Sequence, residues 1–390
     1  MNILYINEDN YGGGSSKALV IFAREMKKRG HNVFVVSRND DGFIIDQLIN
    51  NGAKIYLCPI HLPLLFKQKN PLAKIKFVLR AIYRWIIVSS LIKKIIVKDN
   101  IDIVHANTGI LYYGYLPCRK LHVPHILHHR EFFDKFLEAN VLFPCKRFFK
   151  YVLNSEDNYN ICITKGVLNY LGLEENKNNR VIYDGIISND KIANCQSHHK
   201  SKYFLFAGRI ERNKAPHILI KAFSEFHKKH TDYKIKIAGI YYEDDIYYKE
   251  CAQIINKFGL DDYVEFLGFR KDLDNLMQHA TAVVVTSEFE GFGFIMVEGM
   301  LNRSLIIGRN TTGTKEQFDI GLKQTGKEIG FRFTNEEELY KAMVYAVETD
   351  TTEICERAYK VVCENYTIER CMNETEDFYY HVIDDFKKRK

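Results

Sequence analysis

The sequence lacks the features that define several classes of protein. Its 390 residues include only 7 prolines, and they contain no proline- or serine-rich linker, no low-complexity tract and no internal repeat. The nine cysteines are scattered and never form a CxxC pair, which argues against a zinc site or a disulfide framework and favours a reducing compartment. The N-terminal sequence MNILYI has neither the basic nor the apolar region of a signal peptide, so a cytoplasmic location is expected.

Acidic residues are missing from one long segment. No Asp or Glu occurs between Asp46 and Asp99, whereas ten Lys and Arg residues do. Within residues 66–97 these cations alternate with apolar residues at helical spacing and with the single tryptophan, Trp85, a pattern typical of a helix in a membrane interface. Charges interrupt the segment too often for it to span a bilayer. We therefore predict peripheral contact with an anionic membrane surface on the inner face of the cell membrane. The alternative is that the apolar stripe packs on a sheet and the cations are solvated.

The charge of the chain is unevenly divided between its halves. Residues 1–187 hold 26 Lys and Arg against 16 Asp and Glu, whereas residues 188–390 hold 29 against 33. A basic half beside a mildly acidic half indicates that one face meets an anionic partner. Nucleic acid is not the expected partner, because no nucleic-acid-binding motif is recognised.

Short runs rich in Ile, Val, Tyr and Phe alternate with helical patterns along the chain, and the alternation restarts near residue 201. This order predicts an α/β fold with two Rossmann-like, doubly wound domains that face each other across a cleft. The predicted domains are residues 1–188 and 203–366, joined by a polar linker at 189–202. A helix at 367–390 is expected to pack back on the first domain.

Loops after strands are the candidate sites, because ligands of open α/β sheets bind beyond the carboxyl ends of the strands. Gly13 and Gly14 follow the first predicted strand, where glycines allow close backbone approach and the next helix offers N–H groups to an anion. The fingerprint for nicotinamide cofactors fails there, since Lys17 stands where a small residue is required. The alternative is an ordinary flexible turn.

Two cations follow the first strand of the second half. Arg209 and Lys214 come just after Gly208, and this arrangement suits a diphosphate, which Arg can grip through two oxygens. Fixed cations would also stabilise the charge that develops on a leaving nucleoside diphosphate without a metal ion. The alternative is a solvated, charged loop.

The strongest local signal is a pair of glutamates, Glu290 and Glu298, with seven residues between them. Glu290 precedes a glycine-containing turn, and Glu298 is expected about two turns into an apolar helix, where a buried carboxylate is costly unless it is paired. The two carboxylates could accept hydrogen bonds from the vicinal hydroxyls of a sugar and of a ribose. The alternative is a capping acid and a salt-bridged helix acid.

Ionisable residues follow two predicted strands in the first half as well. We expect them near the acceptor or the reacting centre, with a hydrated loop of locally paired charges as the alternative; they are His105, Asn107, His128, His129, Arg130 and Glu131. The Asp272-Leu273-Asp274 segment matches a D-x-D metal motif, but it is predicted to open a helix as an N-cap. No metal site is therefore predicted.

Together these motifs resemble the retaining glycosyltransferases of family four, also called group one, which have the GT-B architecture. The resemblance covers nearly the whole chain and rests on Gly12–Gly14, FAGRIERNKAPHILIKAF, VEFLGF, TSEFEGFGFIMVEGM and TTGTKEQF. The sequence departs from the family pattern at Thr312-Gly313, where the family usually has a glycine pair, and at Ser15-Ser16 after the first glycines. A family histidine could correspond to His128, to His129 or to Arg130.

The resemblance implies a role for each matched residue. Arg209 and Lys214 would bind the donor diphosphate, Glu290 the transferred sugar and Glu298 the ribose. The further residues implied in donor binding are Gly13, Gly14, Gly291, Phe292, Gly293 and Glu316, and the catalytic set is Arg209, Lys214, Glu290 and His128 or His129.

The implied reaction is metal-independent and needs no cofactor. It would move a hexose or related sugar from a UDP- or GDP-sugar to a glycan or lipid-linked acceptor in bacterial cell-surface polysaccharide or glycolipid synthesis. The alternatives are a nucleotide-sugar epimerase and a non-enzymatic carbohydrate- or lipid-binding module.

Overall fold

The computed structural model describes residues 1–8, 13–42, 44–65, 71–133, 141–142, 144–190 and 200–389. The chain divides into two compact units. Unit 1 comprises Met1–Gly185 and Ile368–Lys390, and unit 2 comprises Ile186–Thr367. Most of the predicted linker, residues 191–199, lies outside the described residues.

Unit 1 contains a parallel sheet with helices on both faces. Its strands are β1 (Asn2–Ile6), β2 (Asn32–Ser37), β3 (Lys54–Leu57), β4 (Leu64–Leu65), β5 (Ile103–Ala106), β6 (His125–His129), β7 (Val141–Leu142), β8 (Asn158–Cys162) and β9 (Asn179–Val181). The sheet runs in the order β3-β2-β1-β5-β6-β8-β9, while β4 and β7 form a separate antiparallel pair. The chain runs outward from β1 to β3 and then crosses back to place β5 on the other side of β1. The carboxyl ends of β1 and β5 therefore lie at a topological switch point.

The helices of unit 1 cover both faces of the sheet and form a separate hydrophobic core on each face. They are α1 (Gly14–Lys28), α2 (Ile45–Asn50), α3 (Pro71–Lys98), α4 (Tyr115–Leu121), α5 (Lys146–Leu153), α6 (Lys165–Tyr170) and, from the far end of the chain, α14 (Ile368–Lys388). Phe22 of α1 and Phe378 of α14 belong to the core on one face, whereas Ile92 of α3 and Phe149 of α5 belong to the core on the other. Buried residues of α14 recur every three or four positions, which is the spacing of a helix with one apolar face.

Helix α3 has two halves in different surroundings. Val88, Ile92 and Ile95 in its second half are buried in the core, as the packing alternative for this segment predicts. Trp85, expected at a membrane interface, instead packs on the rings of Tyr112 and Tyr113, with centroids 5.3 and 4.7 Å away. None of the described side chains from position 72 to position 87 is buried. No helix in the described part of the chain is both long and apolar enough to cross a bilayer.

Unit 2 repeats the doubly wound plan with six parallel strands. They are β10 (Tyr203–Ala207), β11 (Lys234–Ala238), β12 (Val264–Gly268), β13 (Ala282–Val285), β14 (Ile306–Arg309) and β15 (Phe331–Phe333). The strand order is β12-β11-β10-β13-β14-β15. The helices are α7 (Pro216–His227), α8 (Ile246–Lys257), α9 (Leu273–His279), α10 (Phe294–Leu301), α11 (Thr312–Thr325), α12 (Glu336–Glu348) and α13 (Thr352–Asn365). The predicted fold class, α/β with two doubly wound sheets, is confirmed.

Candidate functional site

In unit 2, hydrogen bonds connect the loop after β10 to the loop after β13. The carbonyl of Asn213 accepts from the N–H of Glu288 at 2.8 Å, and the Asn213 side chain both accepts from and donates to the backbone of Phe289, at 3.1 and 3.0 Å. The hydroxyl of Thr286 donates to the carbonyl of Lys214 at 2.6 Å. Because β10 and β13 are neighbours in a parallel sheet, both loops lie at its carboxyl edge, and two motifs distant in sequence form one site.

Lys214 and Glu290 form an ion pair at the centre of this site. Lys214 Nζ lies 2.5 Å from Glu290 Oε1, and the two side chains are only 21% and 14% exposed. Partial burial strengthens the attraction, since less water screens the charges. Arg209 is 70% exposed and lies 3.5 Å from Glu211. An anionic ligand at this edge would therefore meet one solvent-exposed guanidinium and one lysine held in place by a carboxylate.

The backbone of Glu290 is held by the start of α11. Its N–H donates to Thr312 Oγ1 at 2.9 Å, and its carbonyl accepts from the N–H of Gly313 at 2.9 Å. Thr312 has a φ of 44°, which is an outlier for a β-branched residue and costs about 1–3 kcal/mol. A glycine, as the family pattern has there, would adopt this φ without strain but could not supply the hydroxyl. The strain at Thr312 is thus coupled to a hydrogen bond that fixes Glu290.

The turn Gly291-Phe292-Gly293 connects Glu290 to α10. Gly293 has a φ of 87°, which glycine adopts freely, and the Phe292 carbonyl accepts from the side chain of Gln317 at 3.1 Å. Glu298 is half-buried and is the fifth residue of α10, so the prediction that it lies two turns into the helix is wrong by about one turn. The helix begins only after the left-handed Gly293, which shortens the distance from its start to Glu298.

Glu316 occupies on α11 the place that Glu298 occupies on α10. It is the fifth residue of its helix and is half-buried. Both carboxylates therefore lie near the first turn of a helix that starts at the carboxyl edge of the sheet, where the positive end of the helix dipole favours negative groups.

Gly313 leaves no room for a side chain against the Glu290 loop. A Cβ at this position would lie 2.6 Å from the carbonyl oxygen of Glu290, and backbone atoms cannot move aside as a flexible side chain can. We expect Gly313→Ala to displace the loop and to lower the free energy of unfolding by about 1–3 kcal/mol, measured by denaturant titration. The control is Lys315→Ala on the exposed side of the same helix, for which we expect a much smaller change. Equal effects in the two variants would contradict the close packing.

The structure of unit 1 corrects the predicted position of three histidines. His128 and His129 were expected in the loop after the strand that precedes them, but β6 continues to His129 because these residues pair in register with β8. His105 likewise lies inside β5 rather than after it. All three side chains are buried, and His129 donates from Nε2 to the Asn160 side chain at 3.0 Å.

His105 and His128 belong to a buried network of hydrogen bonds. Arg130 donates to His128 Nδ1 at 3.2 Å, and because that nitrogen must accept, His105 Nε2 is the donor in the contact between the two rings, also 3.2 Å. His105 Nδ1 then accepts from the hydroxyl of Tyr379, and the hydroxyl of Tyr5 lies 3.2 Å from that of Tyr379. This hydrogen-bond network connects α14 to the middle of the sheet through neutral histidines.

Arg130 is anchored by Asp184 in a fully buried ion pair. The two side chains are 3% and 2% exposed, and Arg130 also donates from Nε to the carbonyl of Asn107 at 3.2 Å. Burial raises the pKa of the Asp184 carboxyl, while the guanidinium of Arg130 acts in the opposite direction. The sequence analysis missed Asp184, because no local motif surrounds it. Glu131, the next residue after Arg130, is exposed.

Asn107 connects this ion pair to the first glycine turn. Its side-chain amide donates to Asn7 Oδ1 at 3.1 Å and to the carbonyl of Ser15 at 2.9 Å. Gly13 is the N-cap of α1 and Gly14 its first residue, and both are exposed. The carboxyl edge of the unit 1 sheet therefore brings together Asn107, Arg130 and the Gly13-Gly14 turn. Gly12 lies outside the described residues.

Asp272 lies at the N-cap position of α9, but its side chain does not cap the helix as predicted. Its carboxylate instead accepts two hydrogen bonds from Arg270, at 2.8 and 2.6 Å. Asp274 accepts from Asn302 at 3.0 Å. Over the ranges that the structure describes, no three His, Cys, Asp or Glu side chains are grouped as a metal site requires. Independence of metals and cofactors stays a prediction.

Two family models match the two halves of the chain. Residues 12–187 match the model for Glycosyltransferase Family 4, and residues 188–358 match the model for Glycosyl transferases group 1. The chain therefore belongs to the family-four, group-one glycosyltransferases, and the resemblance of its motifs to that family is confirmed.

Individual relatives agree with this assignment. An uncharacterised glycosyltransferase of Methanocaldococcus jannaschii is 32% identical over 232 residues, which are 57% of this chain and 60% of that protein, so the chain matches less than two thirds of that relative's length. The crystal structure of a glycosyltransferase from Rickettsia africae superposes with a TM-score of 0.76 at 20% identity, over 98% of both chains. Anabaena HepE, solved in complex with UDP and glucose, superposes with a TM-score of 0.70 at 19% identity, over 97% of this chain and 98% of HepE. These two structures share the GT-B fold of this chain.

Proposed function

We propose that the protein transfers a hexose or related sugar from a UDP- or GDP-sugar to an acceptor hydroxyl, with retention of anomeric configuration. The observation that carries the proposal is the Lys214–Glu290 pair at the carboxyl edge of unit 2, with Arg209 in the same loop as Lys214. Two cations suit a diphosphate, and a neighbouring carboxylate suits the hydroxyls of the sugar attached to it. Membership of the family and the binding of UDP and glucose by HepE support the same reading.

The proposed chemistry follows from the charges at this edge. The bond between the anomeric carbon and the diphosphate breaks, and its electron pair leaves with the phosphate oxygen toward Arg209 and Lys214. The two cations stabilise this growing negative charge, and hydrogen bonds already hold the backbone of their loop in place. The acceptor oxygen forms the new bond on the face that the diphosphate leaves, and its proton passes to the departing phosphate oxygen. No metal takes part.

Glu290 would change partners when the donor binds. In the structure its carboxylate accepts from Lys214 at 2.5 Å. A diphosphate competes for that lysine, and the freed carboxylate oxygen can accept from the hydroxyls of the transferred sugar. Glu298 and Glu316, one turn into their helices, are the proposed contacts to the ribose and to the rest of the donor.

The proposed acceptor is a glycan or a lipid-linked saccharide of bacterial cell-surface polysaccharide or glycolipid synthesis, met at the inner face of the membrane. The excess of cations in residues 1–187 supports an anionic membrane surface as a further partner, reached through residues 66–97. Asn107 and Arg130 are the proposed acceptor-side residues of unit 1. The Gly13-Gly14 turn at the same sheet edge is proposed to approach the donor phosphate or the acceptor.

A thermal-shift screen with UDP, GDP, ADP and their sugar conjugates tests the donor site. A ligand that binds the native state raises the unfolding midpoint, so one nucleotide series is expected to stabilise the wild type. Glu298→Ala is expected to lose most of that shift, whereas Glu348→Ala, at the far end of α12, should keep it. The absence of a shift with every nucleotide would contradict the proposal and favour a carbohydrate- or lipid-binding module. A shift accompanied by conversion of the sugar without any acceptor would identify an epimerase instead.

A further inference from the structure

The first four turns of α3 expose an apolar ridge. Ile75, Leu79, Tyr83 and Ile86 are 58%, 61%, 66% and 62% exposed, and Ile82 beside them is 40% exposed. Their spacing of three or four residues places them along one side of the helix. Isolated exposed apolar residues are ordinary, but a contiguous row marks a surface that binds another apolar surface.

Cations flank this ridge on the same helix and on its neighbours. Lys76 and Arg80 are exposed within the first four turns. Helix α5 contacts α3 through Phe148, whose ring centroid lies 6.3 Å from that of Trp85. It adds the exposed cations Lys146, Arg147 and Lys150. No acid occurs between Asp46 and Asp99, so every charged side chain of α3 itself is a cation.

Arg84, a further cation of α3, acts together with Arg38 on a neighbouring histidine. The pKa of His61 is lowered to about 4, first by burial and then by the nearby guanidinium groups of Arg84 and Arg38. A surface of this sign attracts anionic groups within roughly one Debye length, about 8–10 Å at moderate salt. A second copy of the chain is a poor occupant, because a twofold contact along the ridge would bring Lys76 and Arg80 of both copies together.

We propose that residues 72–86 of α3 are an insertion ridge, whose apolar side chains enter the acyl boundary of a bilayer while the flanking cations contact anionic lipid headgroups. The second half of α3 is buried in the core and fixes the ridge rigidly to unit 1. This inference rests on the proposed function only in that a lipid-linked acceptor gives the membrane contact its purpose. It predicts two separable contributions to binding, one from apolar insertion and one from charge.

The test is flotation of the full chain with vesicles of phosphatidylcholine alone or mixed with phosphatidylglycerol, at low and high salt. The wild type is expected to float with the mixed vesicles and to lose only part of its binding at high salt. Leu79→Gln/Ile86→Gln keeps good helix formers at exposed positions, and its partitioning should fall by about tenfold or more, because two large apolar side chains no longer insert. The matched control, Ile246→Gln/Tyr345→Gln, removes two exposed apolar residues of unit 2, which are 75% and 53% exposed, and should float like the wild type.

Charge is tested with Lys76→Gln/Arg80→Gln, which is expected to lose the preference for phosphatidylglycerol while some insertion remains. Three outcomes would overturn the inference: no flotation of the wild type at low salt, equal flotation of the ridge variant and the wild type, or a sedimenting dimer that the ridge variant dissociates. Nucleotide thermal shifts on the same samples keep the two proposals apart. A ridge variant that floats poorly but retains its shift supports both proposals, whereas flotation without any shift contradicts the donor site alone.

Discussion

Acidification from pH 7 to pH 5 is expected to destabilise unit 1 strongly, because the fold holds four histidines in its sheet in the neutral form. His105, His125, His128 and His129 are all buried. Burial lowers the pKa of His125 and of His129 to about 4, and burial followed by the charge of Arg130 lowers the pKa of His105 and His128 well below 6.5. The hydrogen bonds around them require the neutral form, because His105 Nδ1 and His128 Nδ1 both accept a hydrogen bond.

The sign and the size of this effect follow from proton linkage. In the unfolded chain each histidine binds a proton as the pH falls through 6.5, while in the folded state it does not until a much lower pH. Stability is therefore fully present above pH 6.5 and is lost as the pH falls below it, by about 1.4 kcal/mol per unit for each histidine. At pH 5 His125 and His129, whose pKa in the folded state is about 4, together remove roughly 4 kcal/mol, and His105 and His128 act in the same direction. This is a large part of the stability of a domain, about 5–15 kcal/mol.

Denaturant titrations at several pH values measure this loss. His125→Gln keeps a donor for Asn158 and removes one titrating group, so the dependence of the unfolding free energy on pH should become shallower by about one proton. His122→Asn is the matched control, because His122 is exposed and has a left-handed φ of 55° that asparagine accepts. A free energy of unfolding that stays constant between pH 7 and pH 5 would contradict the neutral histidine cluster.

Replacement of Lys214 by Met is expected to lower kcat/KM for sugar transfer by roughly 100- to 1000-fold, the loss typical for removal of one preorganised donor to a developing negative charge. Lys214 is only 21% exposed, so in the proposed reaction its charge would act on the leaving diphosphate with little screening by water. The measurement is initial-rate kinetics with the nucleotide-sugar that the thermal-shift screen identifies.

Lys221→Met is the matched control for this experiment. Lys221 also pairs with a glutamate, at 3.2 Å from Glu336, but on the exposed side of α7 away from the Glu290 loop. We expect its kcat/KM to match that of the wild type. The double variant Lys214→Met/Glu290→Gln should lose much less than the product of the two single effects, because the two side chains act as one unit. Independent, multiplicative losses would show that the ion pair is incidental.

Local sequence signals predicted the unit 2 site better than the unit 1 site, for a physical reason. Gly208, Arg209 and Lys214 follow one strand directly and Glu290 follows another, and parallel strands bring such loops to one edge whatever else the chain does. Arg130 and Asp184, by contrast, are 54 residues apart and no motif marks either of them as buried. Whether a polar residue is buried depends on partners from other elements, which periodicity along the chain does not report.

The halves of α3 illustrate the same limit. One continuous stripe of apolar residues predicted one face with one role, yet Val88 and Ile92 are in the core while Leu79 and Ile86 are in solvent. The stripe has the same spacing in both halves, so the difference in burial comes from tertiary contacts and not from the pattern itself. Trp85 lies at the boundary between the exposed and the buried half of α3, and its ring packs on Tyr112 and Tyr113.

Helix α14 has a consequence for how the chain is made. Its buried stripe covers one face of the unit 1 sheet, and Tyr379 belongs to the hydrogen-bond network of His105 and His128. A ribosome delivers this helix only after the whole of unit 2, so unit 1 leaves the exit tunnel with part of its apolar sheet uncovered. Unit 2 has all of its strands before that moment and can complete its fold first. We therefore expect nascent unit 1 to be more prone to aggregation than unit 2 until α14 has been synthesised.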